Sequence, residues 1–112
     1  MTTTTSLAPL LEHFFTQRLM QQRNASPHTI SSYRDTFRQF LIFAQQRLHQ
    51  SPSRLNIEQI DAPLVAAFLD ELEKHRGLTV RSRNLRLTAI HSFFHYVAFE
   101  LPTHAAQIQR VL

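Results

Sequence analysis

The sequence predicts an all-α fold, a compact bundle of four to five helices, and three features carry that expectation. A single glycine and five prolines in 112 residues leave few places for tight hairpins. No stretch alternates apolar and polar residues with period two. Four stretches instead repeat apolar residues every three or four positions, each bounded by a residue that starts or stops a helix.

The first helix is expected from about Leu7 to Gln22, with Leu7, Leu10, Leu11, Phe14, Phe15 and Leu19 on one stripe and Pro9 tolerated in its first turn. Asn24-Ala25 reads as the break. Ser26 then supplies a capping oxygen and Pro27 a preset first helical residue, and Ile30, Tyr33, Phe37, Phe40, Leu41, Ala44 and Leu48 continue at helical spacing to about Gln50. Ser51-Pro52-Ser53 ends this helix. Leu55, Ile57 and Ile60 are expected to anchor an ordered connection. Asp61 caps a third helix to about His75, with Val65, Phe68, Leu69 and Leu72 as its buried stripe. Lys74, His75 and Arg76 fall where a helix C-terminus favours positive charge, and Gly77 can take the left-handed conformation that closes it. Thr79 caps a fourth helix whose core positions are Leu87, Ile90, Phe94, Val97 and Leu101, until Pro102 stops it. The resulting organisation is a flexible lead-in over residues 1–6, a helical domain over 7–102, and the start of a linker or short helix over 103–112. Ile108, Val111 and Leu112 are apolar residues at the very end, and more chain is expected to follow them.

With 43% apolar residues and nine Phe, the chain can fill one modest core without disulfides or metals, and it contains no Cys to form a disulfide or a thiolate zinc site. No apolar run approaches the roughly 18 residues of a membrane span. The opening Met1-Thr2-Thr3-Thr4-Thr5-Ser6 has neither the basic start nor the apolar middle of a secretory signal, so a cytoplasmic protein without membrane contact is expected. Net charge is +4, and 11 of the 12 basic residues are Arg, whose planar fork suits phosphate and guanine. The charge is local: Glu58, Asp61, Asp70, Glu71 and Glu73 cluster in one segment, whereas Arg76, Arg81, Arg83 and Arg86 follow with no acid between them. A polyanionic partner fits this pattern, as does a solvated charged face.

Wound as a helix, the fourth segment places Arg81, Asn84, Thr88, His91, Ser92 and His95 opposite its apolar stripe, a strip of hydrogen-bonding groups. Asn matches adenine and Arg matches guanine through paired hydrogen bonds. The free N–H groups at the start of this helix suit a phosphate near Val80 to Ser82, with Arg81, Arg83 and Arg86 adding charge, although Arg83 lies at a core angle where its stem can simply cover apolar surface. The second helix repeats the theme with His28, Ser31, Ser32, Asp35, Arg38 and Gln39 opposite its apolar side and Thr29 beside the cap; ordinary solvated surface explains that mixed face equally well.

These residues resemble the SAM-like core-binding domain of tyrosine recombinases, the lambda-type phage integrase family, over about Leu7 to Ala98. The resemblance rests on Ser26-Pro27-His28-Thr29 with Tyr33, Phe37, Phe40 and Phe43-Ala44, on Leu55, Ile57, Ile60-Asp61 and the run Val65 to Leu72, and above all on Thr79 to Tyr96. Two positions depart from the family pattern: Ser82 stands where Thr is usual, and Leu85 replaces the first of two Arg. The resemblance implies a half-clamp that sets the second and fourth helices on double-stranded DNA at a recombination half-site. Its implied DNA contacts are Thr29, Arg81, Ser82, Asn84, Arg86, Thr88, His91 and His95. It also implies assembly with other recombinase protomers on DNA, while the isolated domain need not be more than a monomer. The nucleophilic Tyr of such enzymes belongs to a larger C-terminal catalytic domain expected beyond this chain.

The chain itself is not expected to be an enzyme. Tyr33 and Tyr96 read as packing residues, and no Gly-rich phosphate loop exists. His91 and His95 share a face at a metal-capable spacing but lack a third ligand, so neither a metal nor another cofactor is expected. Two other functions remain open: a helical protein-interaction module docking through Leu10, Leu11, Phe14 and Phe15, and a helix-turn-helix regulator.

Overall fold

The computed structural model describes residues 5–111, with the side chains of Gln22, His75, Arg76 and Ala105 left out of the description. The expectations for residues 1–4, for Leu112 and for the charges of His75 and Arg76 fall outside it. The chain is all-α. Helix α1 spans Leu7–His13 and continues without a break as a π-helix over Phe14–Gln22; α2 is Pro27–Leu48, α3 Ala62–Arg76, α4 Val80–Glu100 and α5 Ala105–Val111. Short 3₁₀ turns occupy Pro52–Arg54, Ile57–Gln59 and Pro102–His104. The chain divides into two compact units, Met1–Gln59 and Ile60–Leu112.

In the first unit, the expected helix from Leu7 to Gln22 is present, but its second half is wound more widely than an α-helix. The Arg23 N–H reaches back five residues to the Arg18 carbonyl at 2.9 Å. Winding of this kind brings residues five apart onto one side, and Phe14 and Leu19, at 0% and 2% exposure, are such a pair. Phe14 stacks on Tyr33 with ring centroids 6.4 Å apart, and both Phe14 and Phe15 meet Phe37 edge to face. Asn24, with φ of 48°, makes the reversal after this helix.

Helix α2 starts where Pro27 and the Ser26 cap require, the Thr29 N–H donating to the Ser26 hydroxyl at 3.2 Å. It ends at His49, which takes the left-handed conformation usual for Gly. Leu55 and Ile57 are fully buried. The same stretch holds the start of the chain, through Leu7 N–H to the Leu55 carbonyl (2.9 Å) and Ile57 N–H to the Thr5 carbonyl (2.8 Å). The Thr5 N–H donates to the Glu58 carboxylate at 2.8 Å. Thr5 and Ser6, read from sequence as part of the lead-in, are thereby tied down.

In the second unit, Asp61 caps α3 by accepting from the Leu64 N–H at 3.0 Å. Gly77, with φ of 62°, closes α3. The Leu72 carbonyl accepts from the N–H groups of both Gly77 and Leu78. Thr79 then caps α4, accepting from the Ser82 N–H at 3.2 Å. Phe68 and Leu72 of α3 and Ile90, Phe93, Phe94 and Val97 of α4 are buried core side chains, each at most 1% exposed. The sequence stripe for α4 included Leu87 and Leu101, which are only half-buried, and missed Ala89, Phe93 and Tyr96, which are buried. In the segment expected to be a linker or a short helix, helix α5 forms over Ala105–Val111: Ile108 is 1% exposed, and the Gln107 side-chain amide donates to the Ile60 carbonyl at 3.1 Å.

Candidate nucleic-acid interface

Helix α4 changes character along its length. From Ala89 to Val97 it buries six side chains, whereas none of the residues Val80 to Thr88 is fully buried. Its first two turns therefore carry their side chains at or near the surface. They contain Arg81, Arg83 and Arg86 and no acid. The Thr79 cap satisfies one of the free N–H groups at the start of the helix, and the remaining ones add the positive end of the helix dipole.

Of the residues expected to contact DNA, Arg81, Asn84, Thr88 and His95 are exposed and share the side of α4 opposite its core. Thr88 is constrained further, because its hydroxyl donates to the Asn84 carbonyl at 2.9 Å, within its own helix. Ser82 and Arg86 are half-buried and flank the apolar stripe. His91 is also half-buried and lines a groove of about 400 Å³ together with Val65, Leu69, Glu73, Leu87 and Arg110. His91 and His95 thus differ in setting despite their helical spacing. Among the described residues no group of three His, Cys, Asp or Glu is placed to hold a metal ion.

Thr29 belongs to the first unit, at the start of α2. Its hydroxyl oxygen accepts from the Ser26 hydroxyl at 3.1 Å, which leaves its own proton for another acceptor. On the opposite side of α2's first turns, Ser31, Ser32, Arg34 and Asp35 are exposed, and Asp35 lies 3.9 Å from Arg38 in a solvated pair.

Arg83 is withdrawn from the surface strip. Its Nε lies 2.9 Å from Glu73 of α3, a contact that is ionic rather than a directed hydrogen bond. Two exposed apolar side chains lie on the polar side of α4: Leu85, 54% exposed, noted from sequence only as a departure from the family pattern, and Phe99, 72% exposed, which sequence reasoning did not single out. The helical wheel places both there.

Of the four side chains expected above as a docking face on the first helix, Leu10 and Leu11 are each 9% exposed and Phe14 is fully buried, while Phe15 is half-buried in a groove with Leu11, Phe37 and Leu41. Tyr96 is 3% exposed, and Tyr33, half-buried, is stacked on Phe14. No helix among the described residues is long and apolar enough to cross a membrane.

Comparison with known proteins gives a consistent answer. The sequence profile of the phage integrase N-terminal SAM-like domain matches residues 13–100. The chain is 75% identical over 112 residues, all of its length, to y4rC of Sinorhizobium fredii, named as an integrase/recombinase, and covers 34% of that protein. It is 52% identical over 106 residues to y4rD of the same organism, named likewise, covering 95% of this chain and 38% of that one. It is 32% identical over 95 residues to the tyrosine recombinase XerC of Pelobacter propionicus, covering 81% of this chain and 29% of that protein. The chain thus spans about a third of the length of these relatives. No solved structure matches it significantly. The all-helical architecture, the three capped helix starts and the profile match over residues 13–100 together place this chain in the family of phage integrase N-terminal SAM-like domains.

Proposed function

We propose that this chain is the DNA-gripping part of a site-specific tyrosine recombinase, holding a recombination half-site while residues outside it cut and rejoin the strands. The observation that carries this reading is the first half of α4: two turns without a fully buried side chain, without an acid, and with Arg81 and Arg86 behind a capped helix start. Arg81 and Asn84 present the side chains that pair with base edges or phosphates. Arg86 adds charge on the same helix; in the other unit, Thr29 by itself has a hydroxyl proton to offer an acceptor.

In this reading the chemistry of strand exchange lies outside these 112 residues, which is supported by the burial of Tyr96 and the stacking of Tyr33 on Phe14. Half of a clamp binds weakly. Affinity at physiological salt is expected in the range of non-specific binding, about 10⁻⁴ to 10⁻⁶ M.

The test is fluorescence anisotropy of a labelled duplex across a salt series, comparing the wild type with an Arg81→Ala, Asn84→Ala, Arg86→Ala triple variant of unchanged helicity. Salt-sensitive binding that the variant loses supports the reading. No binding at low salt, or equal binding by the variant, overturns it.

A further inference from the structure

We infer that Leu85, together with the methyl group of Thr88, forms an apolar contact for the C5-methyl group of thymine in the major groove. This rests on the reading of α4 as a DNA-facing helix and adds a specificity to it. Leu85 is 54% exposed on a stretch whose other exposed side chains are Val80, Arg81, Asn84 and Thr88, the last three sharing the side of the helix opposite its core. An isolated exposed Leu is ordinary on a protein surface. This one has a neighbour that is apolar in effect.

Thr88 lies three residues on, on the same side of the helix, and its hydroxyl proton is committed to the Asn84 carbonyl at 2.9 Å. What Thr88 has left to offer an apolar partner is its methyl group. Leu85 and Thr88 therefore make a small apolar spot bordered by Arg81 and Asn84. Neither residue lines the groove beside His91, so the spot sits on the convex surface of the helix, a shape suited to entering a groove. The nearby Arg81 and Arg86, with no acid between Val80 and Thr88, favour a polyanion as the occupant.

Among the features that base pairs present in the major groove, hydrogen-bond donors and acceptors are common to all four arrangements, whereas the thymine methyl is the apolar one. An apolar spot between an Arg and an Asn thus selects a base step in which a thymine methyl lies beside groups that those two side chains can pair with.

The experiment uses two duplexes that differ only in the methyl: alternating dA·dT, and the same duplex with deoxyuridine in place of thymidine. Alternation presents a thymine at every second position of each strand, so the unknown register does not matter. Binding of the 112-residue chain at low salt is measured for the wild type, Leu85→Ala and Leu85→Arg. The wild type should bind the methyl-bearing duplex roughly fourfold more tightly, the worth of one buried methyl. Leu85→Ala, which keeps the Thr88 methyl, should lose most of that preference, and Leu85→Arg should bind both more tightly with most of the preference lost. Because all three proteins meet the same DNA, any effect of the methyl on duplex stiffness cancels in the comparison. A wild type that ignores the methyl, or an Ala variant that keeps the full preference, overturns the Leu85 contact and leaves the DNA-binding reading standing. Failure of the wild type to bind either duplex overturns both.

Discussion

Glu73 of α3 holds Arg83 of α4 at 2.9 Å, and this pair separates Arg83 from Arg81, which is exposed. Both side chains are a little over one-third exposed, so the pair adds on the order of 0 to 1 kcal/mol to stability. Its greater consequence is for charge. Glu73 neutralises Arg83 where Arg81 is left facing outward. Arg83→Ala should therefore change DNA affinity less than Arg81→Ala, while Glu73→Gln should tighten binding by freeing Arg83 for a phosphate. An anisotropy titration of the three variants at one low salt concentration checks this order; equal losses for Arg81→Ala and Arg83→Ala would contradict it.

Arg81 is assigned to phosphate or a base edge, and the two roles differ in their salt signature. If it neutralises one phosphate, Arg81→Ala should weaken binding on all duplexes alike and lower the slope of log affinity against log salt by about 0.9. An unchanged slope with loss confined to guanine-containing duplexes would assign it to a base instead.

Gly77 closes α3 with φ of 62°, and a Cβ there would meet no atom within 4 Å. The cost of substitution is thus one of backbone conformation alone. Gly77→Ala should destabilise the chain by about 1 to 2 kcal/mol, and Gly77→Asn by less, because Asn tolerates the left-handed region. Urea denaturation followed by circular dichroism reads the difference, and an Ala variant as stable as the wild type would show that α3 can end another way.

Ile108 is 1% exposed, although it lies beyond the expected end of the helical domain. Ile108→Ala should cost about 2 to 5 kcal/mol, as for other buried aliphatic truncations. Its exposed neighbour Gln109→Ala should cost no more than about 0.5 kcal/mol. If both are neutral, α5 contributes nothing to the second unit.

The capped start of α4 should matter to binding as well as to folding. Thr79→Ala removes the oxygen that accepts from the Ser82 N–H at 3.2 Å and should cost about 1 kcal/mol. Hydrogen exchange should quicken at Ser82 and its neighbours with little change at Phe93 and Phe94. Uniform loss of protection along α4 would mean that the helix opens as a whole.

Much of the fold was written locally in the sequence. Ser26, Asp61 and Thr79 start three helices where an oxygen-bearing side chain precedes an apolar repeat, and Gly77 ends one where only a left-handed residue serves. Such signals act within a turn of the backbone, so they survive without knowledge of the rest of the chain. The polar side of α4 was legible for the same reason, since helical geometry alone sets Arg81, Asn84, Thr88 and His95 on one side.

The tertiary structure decided what depends on neighbours distant in sequence. The wide winding over Phe14–Gln22 is invisible to a regular α-helical spacing, although the sequence stripe already held both Phe14 and Leu19. The capture of Arg83 by Glu73 and the burial of Ile108 likewise depend on which helices meet. Burial of Phe93, between residues read as core and residues read as surface, shows that packing sets the width of the apolar face of α4 where periodicity sets only its centre. Local hydrogen bonding and backbone sterics determined where the helices of this protein begin and end. Only the packing of side chains from distant segments determined which charges and apolar groups remained at the surface.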